Sequence, residues 1–233
     1  MTTATPSKLK EFLADAKALV GKDAPDVGQG VRTATWTAIQ RLTTAIGDTN
    51  RLYNDAAQSV GTIYNTMIAP PSFILAVRTP ESGATWEQKE YGLRRFATHM
   101  SAEWNDIIRM SDRQVSDLKV SAVRAGKKWG TRETVEVDST ATYKTLGGQV
   151  YATATGTVTM VPHEVNGPLL SERGIHVYSD DEIKKLDTDL HAAAKPARGR
   201  VPLYWSEVKK GDKLPGPSQG PALLQRPRRV AAG

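Results

Sequence analysis

Asp48, Asn50 and Tyr53 bring a carboxylate, an amide and a phenol into one short run, Gly47-Asp48-Thr49-Asn50-Arg51-Leu52-Tyr53. A carboxylate can take or give a proton, and an amide can orient a polar ligand. A tyrosine with its ordinary pKa of about 10 is a hydrogen-bond donor at neutral pH and not a base. Taken alone, Gly47-Asp48 reads as a helix end followed by a turn, and Asn50 as a local cap for the next turn. Other groups with chemistry are sparse. His99, His163, His176 and His191 show no metal-ligand spacing, so no metal is expected and each reads as a surface or strand-end residue. His99, placed just before an expected strand, is the one histidine that could substitute as a base. There is no cysteine, which excludes disulfides and thiolate metal sites. Gly147-Gly148 reads as a hairpin turn and not as a phosphate-cradling loop. Trp86, Trp104, Trp129 and Trp205 read as packing residues.

The elements that must position these groups follow from periodicity. Thr2 to Gly21 reads as an amphipathic helix with Leu9, Phe12, Leu13 and Leu19 on its apolar side and Ser7 as cap. Ala38, Ile39, Leu42 and Ile46 recur at helical spacing, and Gly47 suits a left-handed helix end. A polar loop is expected from Asp48 to Asp55, with a short helix starting near Asp55. Ala69-Pro70-Pro71 is rigid, because each proline fixes its own backbone and restricts its predecessor. Ser72 to Val77 reads as buried, and Thr79 to Lys89 as a loose insertion. Four strands are expected at Met100–Met110, Gln114–Arg124, Gly130–Thr145 and Gln149–Pro162, forming an antiparallel meander wrapped around one helix. Turns are expected at Arg124-Ala125-Gly126-Lys127 and Leu146-Gly147-Gly148. Farther on, Ser179 to Ala194 reads as a helix with a capping box made by Ser179 and Glu182. Pro196–Pro202 reads as a linker, Tyr204–Val208 as a short ordered segment, and Gly211–Gly233 as a tail without apolar period. The fold class is therefore α+β, with residues 1–165 as the first domain and 166–233 as a helical connector and basic tail.

The formal charge is +6 and the pI about 9.5. The excess is local: from Lys195 onward there are nine Lys or Arg and only two acids, Glu207 and Asp212. Such a tail reads as a solvated or subunit-contacting arm, not a nucleic-acid reader, and a basic surface suits a phosphate-bearing substrate. No stretch approaches the roughly 20 apolar residues of a membrane helix, and Met1 to Lys10 lack the apolar run of a signal peptide. A cytoplasmic location is expected.

Several segments together resemble the MaoC-like (R)-specific enoyl-CoA hydratase family. Ala45-Ile46-Gly47-Asp48-Thr49-Asn50-Arg51-Leu52-Tyr53 resembles its Gly-Asp-x-Asn-Pro-aliphatic-His signature. Ile68-Ala69-Pro70-Pro71-Ser72-Phe73 resembles its Ala-Pro-Pro-Thr-Phe segment. Glu103-Trp104 with Ile108 resembles its Glu-Trp/Phe strand, and Thr142-Tyr143, Gly147-Gly148 and Val150 to Gly156 its closing hairpin. Tyr178 to Ile183 and Tyr204 to Asp212 resemble the connector of two-domain members, so the resemblance is closest to an amino-terminal hot-dog half.

The resemblance implies a hot-dog fold, a coenzyme A thioester as substrate, and no cofactor. In the family an Asp and a His add water to an enoyl thioester. That needs a base for the water proton, an acid for the alpha carbon and a donor for the thioester enolate. Asp48 matches the Asp and Asn50 the Asn, whereas Arg51 replaces the Pro and Tyr53 stands at the His position. The implied substrate-binding set is Asn50, Tyr53, Pro70, Pro71 and Phe73, with Asp48 in a degenerate catalytic site. The implied partner is a second MaoC-like hot-dog subunit carrying the intact Asp/His pair. The alternatives are a stand-alone hot-dog acyl-CoA-binding protein or thioesterase, and a basic protein whose tail binds nucleic acid.

Overall fold

The computed structural model describes residues 6–23, 30–80, 91–162, 176–193 and 204–212. The chain forms two compact units, Met1–Glu172 and Arg173–Gly233. In the first, α1 spans Pro6–Lys17, α2 Trp36–Ile46, α3 Arg51–Asn54 and α4 Ala56–Val60. A 3-10 turn, Pro71–Phe73, runs into α5, Ile74–Val77. The strands are β1, Leu93–Trp104; β2, Gln114–Ala125; β3, Val135–Thr145; and β4, Val150–Pro162. They pair antiparallel in the order β1-β4-β3-β2.

The sheet's inner face is written in the alternation of β3, where Val135, Val137, Ser139, Ala141 and Tyr143 are buried. Glu136, Asp138, Thr140 and Thr142 take the other face. Two apolar clusters cover the inner face. α1 closes one through Phe12, fully buried beside Val120, Val137 and Met160, with the Phe12 ring edge-on to Tyr91 at 5.2 Å. Burial of a side chain like Phe12 contributes about 1.5–3 kcal/mol. α2 closes the other through Ile39, which packs with Phe73, Leu118, Tyr143 and Tyr151. This is the hot-dog arrangement, a helix held against an antiparallel sheet, and the α+β class is as expected.

Several boundaries differ from the sequence reading. β1 runs Leu93–Trp104, not Met100–Met110, so His99 lies within the strand and Ile108 outside it. β1 is an edge strand exposed along most of its length, so alternating burial never shaped its sequence. The strand stops where the N–H groups of Asn105 and Asp106 both donate to the Tyr151 carbonyl, at 2.8 and 3.3 Å. The order is also not a plain meander, since β1 pairs with β4 and not with β2. β3 begins at Val135 rather than Gly130, which sits at φ 61° in the turn ahead of it. The turn expected at Arg124–Lys127 is longer, because β2 runs through Ala125 and β3 resumes at Val135.

α1 ends at Lys17, short of Gly21, because Val20 bridges to Val120 at the β2 edge and the Gly21 N–H donates to the Val120 carbonyl at 2.8 Å. Ser7 falls inside α1 rather than capping it. Asp48–Asp55 is not simply a loop, since it contains α3. Within Ser72–Val77, Phe73, Ile74 and Val77 are buried but Leu75 is exposed. Trp86, His163, most of the Thr79–Lys89 insertion, the Pro196–Pro202 linker and the tail beyond Asp212 lie outside the described residues.

In the second unit, α6 spans Asp180–Ala193, and a 3-10 turn covers Trp205–Glu207. The capping box is present: the Ser179 N–H donates to Glu182 Oε2 at 2.8 Å, and the Glu182 N–H to Ser179 Oγ at 3.3 Å.

Candidate functional site

The Asp48 region is built on the end of α2. Thr35 caps its start, where Oγ1 accepts from the Ala38 N–H at 3.2 Å. Gly47 ends it at φ 68°, a left-handed conformation that favours glycine. The Gly47 N–H donates to the Thr44 carbonyl at 3.3 Å and the Asp48 N–H to the Thr43 carbonyl at 2.8 Å, a Schellman-type closure.

From there each polar side chain organises the next turn. Asp48 Oδ1 accepts from the Asn50 N–H at 2.8 Å. Asn50 Oδ1 caps α3 by accepting from the Leu52 N–H at 3.0 Å. Asp55 Oδ1 caps α4 by accepting from the Gln58 N–H at 3.0 Å, while Oδ2 meets Arg51 Nη2 at 2.6 Å. The Gln58 N–H, followed by the Arg51 guanidinium, holds the Asp55 carboxyl below the usual carboxylate range.

Asp48 is half-buried and Asn50 exposed. Tyr53 is half-buried and packs against the α2 cluster. Burial, then the Asp48 charge, then Tyr64, push its phenol above the ordinary tyrosine value. The shift moves Tyr53 further from acting as a base and keeps its hydroxyl a donor. His99 does not replace it. On β1 it is opposite Thr157, which in turn pairs with Asp138 of β3, on the sheet face turned away from α2.

The second segment runs beside the first. The Ile68 N–H donates to the Leu52 carbonyl at 3.4 Å, the Ala69 N–H to the Ile108 carbonyl at 2.8 Å and the Met110 N–H to the Met67 carbonyl at 2.8 Å. Ile108 thus belongs to a buried irregular segment laid along residues 67–69. Pro70 is buried, Pro71 exposed, and Phe73 fully buried in the α2 cluster. Trp104 is half-exposed and donates Nε1–H to the Pro71 carbonyl at 3.1 Å, joining the end of β1 to this segment. The Trp129 ring packs on Phe96 at 4.9 Å.

The sequence reading missed Asn54, Gln40 and Thr43. Asn54 Nδ2 donates to the carbonyls of Asp48 and Asn50, both at 2.9 Å. Asn54 Oδ1 accepts from Thr43 Oγ1 at 2.8 Å and from Gln40 Nε2 at 3.1 Å. Gln40 and Thr43 lie on the same stripe of α2 as Ile39 and Leu42, and a fully buried threonine there signals a polar contact. Among the described residues no group of three or more His, Asp or Glu is placed to hold a metal ion. No helix among them is long and apolar enough to cross a membrane.

The profile of the FAS1-like dehydratase domain region matches residues 25–150, more than half of the chain, and the chain belongs to that family. It is a dehydratase-family protein with a hot-dog-type fold. Among solved structures the chain is similar in fold to the ChsH1-ChsH2 complex from Mycobacterium tuberculosis. The identity is 16% and the TM-score 0.52, covering 70% of this chain and 96% of that one. It is also similar to the (R)-hydratase from A. caviae involved in PHA biosynthesis, at 16% identity and a TM-score of 0.43, covering 58% and 98%. The MaoC-like dehydratase from Rhodospirillum rubrum follows at 17% identity and a TM-score of 0.42, covering 62% and 100%. No curated protein matches the chain.

Proposed function

We propose that this chain is the acyl-CoA-binding, catalytically incomplete subunit of an (R)-specific enoyl-CoA hydratase, acting on a trans-2-enoyl-CoA. A second hot-dog subunit carrying the Asp/His pair completes it. The observation that carries the reading is the Asp48–Tyr53 turn. It keeps a half-buried carboxylate but sets beside it a phenol whose pKa is raised, where hydration needs a base. In the complete reaction the partner's base takes a proton from water and the oxygen bonds to the beta carbon. The electron pair displaced onto the thioester is then protonated at the alpha carbon. In this chain Asn50, Tyr53, Pro70, Pro71 and Phe73 shape the acyl-CoA site, Tyr53 as a neutral donor and Phe73 as the packed wall behind it. Asp48 orders the turn through the Asn50 N–H.

The test is co-expression with a MaoC-like partner that carries the intact signature, followed by a hydration assay on a panel of enoyl-CoAs. The chain alone is expected to be slower than the complex by roughly 10²–10⁴-fold, the usual contribution of a general base. In the complex, Asp48→Ala is expected to weaken acyl-CoA binding more than it lowers turnover. Activity of the isolated chain near that of the complex, abolished by Asp48→Ala, would make this chain the catalyst and end the proposal. Thioester cleavage by the chain alone would instead make it a thioesterase.

A further inference from the structure

A carboxamide offers two N–H donors and two carbonyl lone pairs, and at Asn54 all four are used. The donors go to the carbonyls of Asp48 and Asn50, and the acceptors to Thr43 Oγ1 and Gln40 Nε2. Gln40 Nε2 also donates to the Tyr53 carbonyl at 3.3 Å. Flipping the Asn54 amide would set its oxygen against two carbonyl oxygens and its NH2 against the Gln40 donor, so one orientation is selected. This network ties a half-exposed turn to a fully buried threonine of α2. The turn needs such a tie, since a four-residue helix like α3 cannot hold itself in water.

We infer that Asn54, anchored by Thr43 and Gln40, is a positioning residue: a latch that fixes the Asp48–Tyr53 turn to α2 and so sets the direction of the Asp48 carboxylate and the Tyr53 ring. Its effect on ligand binding rests on the acyl-CoA reading above, whereas the latch itself does not. The signature motif assigns no such role to this position, and the amide acts only through its neighbours. Because every hydrogen-bonding position is filled, no other side chain of similar size reproduces it. Aspartate keeps the two acceptors but loses both donors.

Two variants test the latch. Asn54→Asp removes the bonds to the Asp48 and Asn50 carbonyls. Thr43→Val keeps the shape of the threonine and removes the buried hydroxyl, and it serves if Asn54→Asp does not fold. The first readout needs no ligand. By NMR hydrogen exchange, the N–H groups of Asn50 and Leu52, bonded to the Asp48 and Asn50 side chains, are expected to exchange at least about tenfold faster. Amides of β3 and β4 are expected to keep their wild-type rates. Unchanged exchange at Asn50 and Leu52 overturns the latch.

The second readout is the affinity of the two-subunit complex for a saturated acyl-CoA, a probe that cannot be hydrated. Asn54→Asp is expected to weaken it about tenfold, and the loss should largely vanish in an Asp48→Ala background, where loss of the bond to the Asn50 N–H has already released the turn that Asn54 holds. Losses that add in the double variant overturn the positioning role and leave Asn54 a general scaffold residue. A wild-type complex that binds no acyl-CoA defeats the functional reading, while the exchange rates still decide the latch.

Discussion

Tyr143 and Tyr151 allow one substitution to be made twice in the same core with opposite consequences. They are the largest fully buried side chains among the described residues, with ring centroids 6.2 Å apart. The Tyr143 hydroxyl donates to the Arg78 carbonyl at 2.7 Å, deep in the protein. Tyr143→Phe removes that bond and takes a donor from a buried carbonyl, at a cost of about 1–2 kcal/mol. In a protein of this size that lowers Tm by about 2–8 °C.

Tyr151 is the extra residue of a β-bulge: Tyr143 pairs with Ala152 and Lys144 with Val150, so Tyr151 and Ala152 both turn inward. Its buried hydroxyl meets no hydrogen-bond partner among the described residues. Burial, then the Asp112 charge, push the phenol well above its ordinary value, so the group stays neutral. An unpartnered buried hydroxyl costs about 1–3 kcal/mol, which Tyr151→Phe removes. That variant is expected to exceed the wild type in stability, by up to about 1–3 kcal/mol. Urea and thermal unfolding of both single variants measure the contrast. Equal losses at the two positions would refute the reasoning, as would a neutral Tyr143→Phe.

Phe73→Ala is expected to lower stability by about 3–5 kcal/mol in urea unfolding, because its ring is fully buried among Ile39, Met67 and Tyr151. Gly30→Ala is expected to cost about 1–3 kcal/mol in the same assay. A Cβ there would come within 2.4 Å of the Ala76 carbonyl oxygen, where the Gly30 N–H pairs with the Val77 carbonyl at 2.8 Å. Burial pushes the Asp138 carboxyl up, but hydrogen bonds from Arg124 and Thr157 outweigh it and hold the pKa below the usual range. A depressed folded-state pKa gives stability that is present above the unfolded value of about 4 and lost as pH falls through the folded value. Asp138→Asn should therefore lose stability at pH 7 and show a shallower decline below about pH 4; an unchanged acid limb would count against the ion pair.

The sequence by itself determined what short-range chemistry decides. α2 and its glycine terminus follow from helical spacing and from the one residue type that favours φ 68°. The inner face of β3 follows from strict alternation, and the capping box of α6 from Ser179 and Glu182 three residues apart. The Asp48–Tyr53 run and the Pro70–Phe73 segment were legible as motifs of a dehydratase-type family, and the family match bears out that resemblance.

Tertiary structure alone decided the rest. β1 was misplaced because an exposed edge strand has no buried face to impress a period on its sequence. Its pairing with β4 is a choice among edges that no local pattern encodes. The inward turn of Tyr151 depends on a bulge against β3, and the burial of Thr43 on an amide eleven residues away. Asn54 was invisible as an organiser for the same reason. An asparagine after a short turn looks like any loop residue until the fold brings Gln40 and Thr43 to its carbonyl and the backbone of Asp48 and Asn50 to its amide. Hydrogen bonds between segments depend on where the backbone goes, and that is set by burial of the whole core, not by neighbours in sequence.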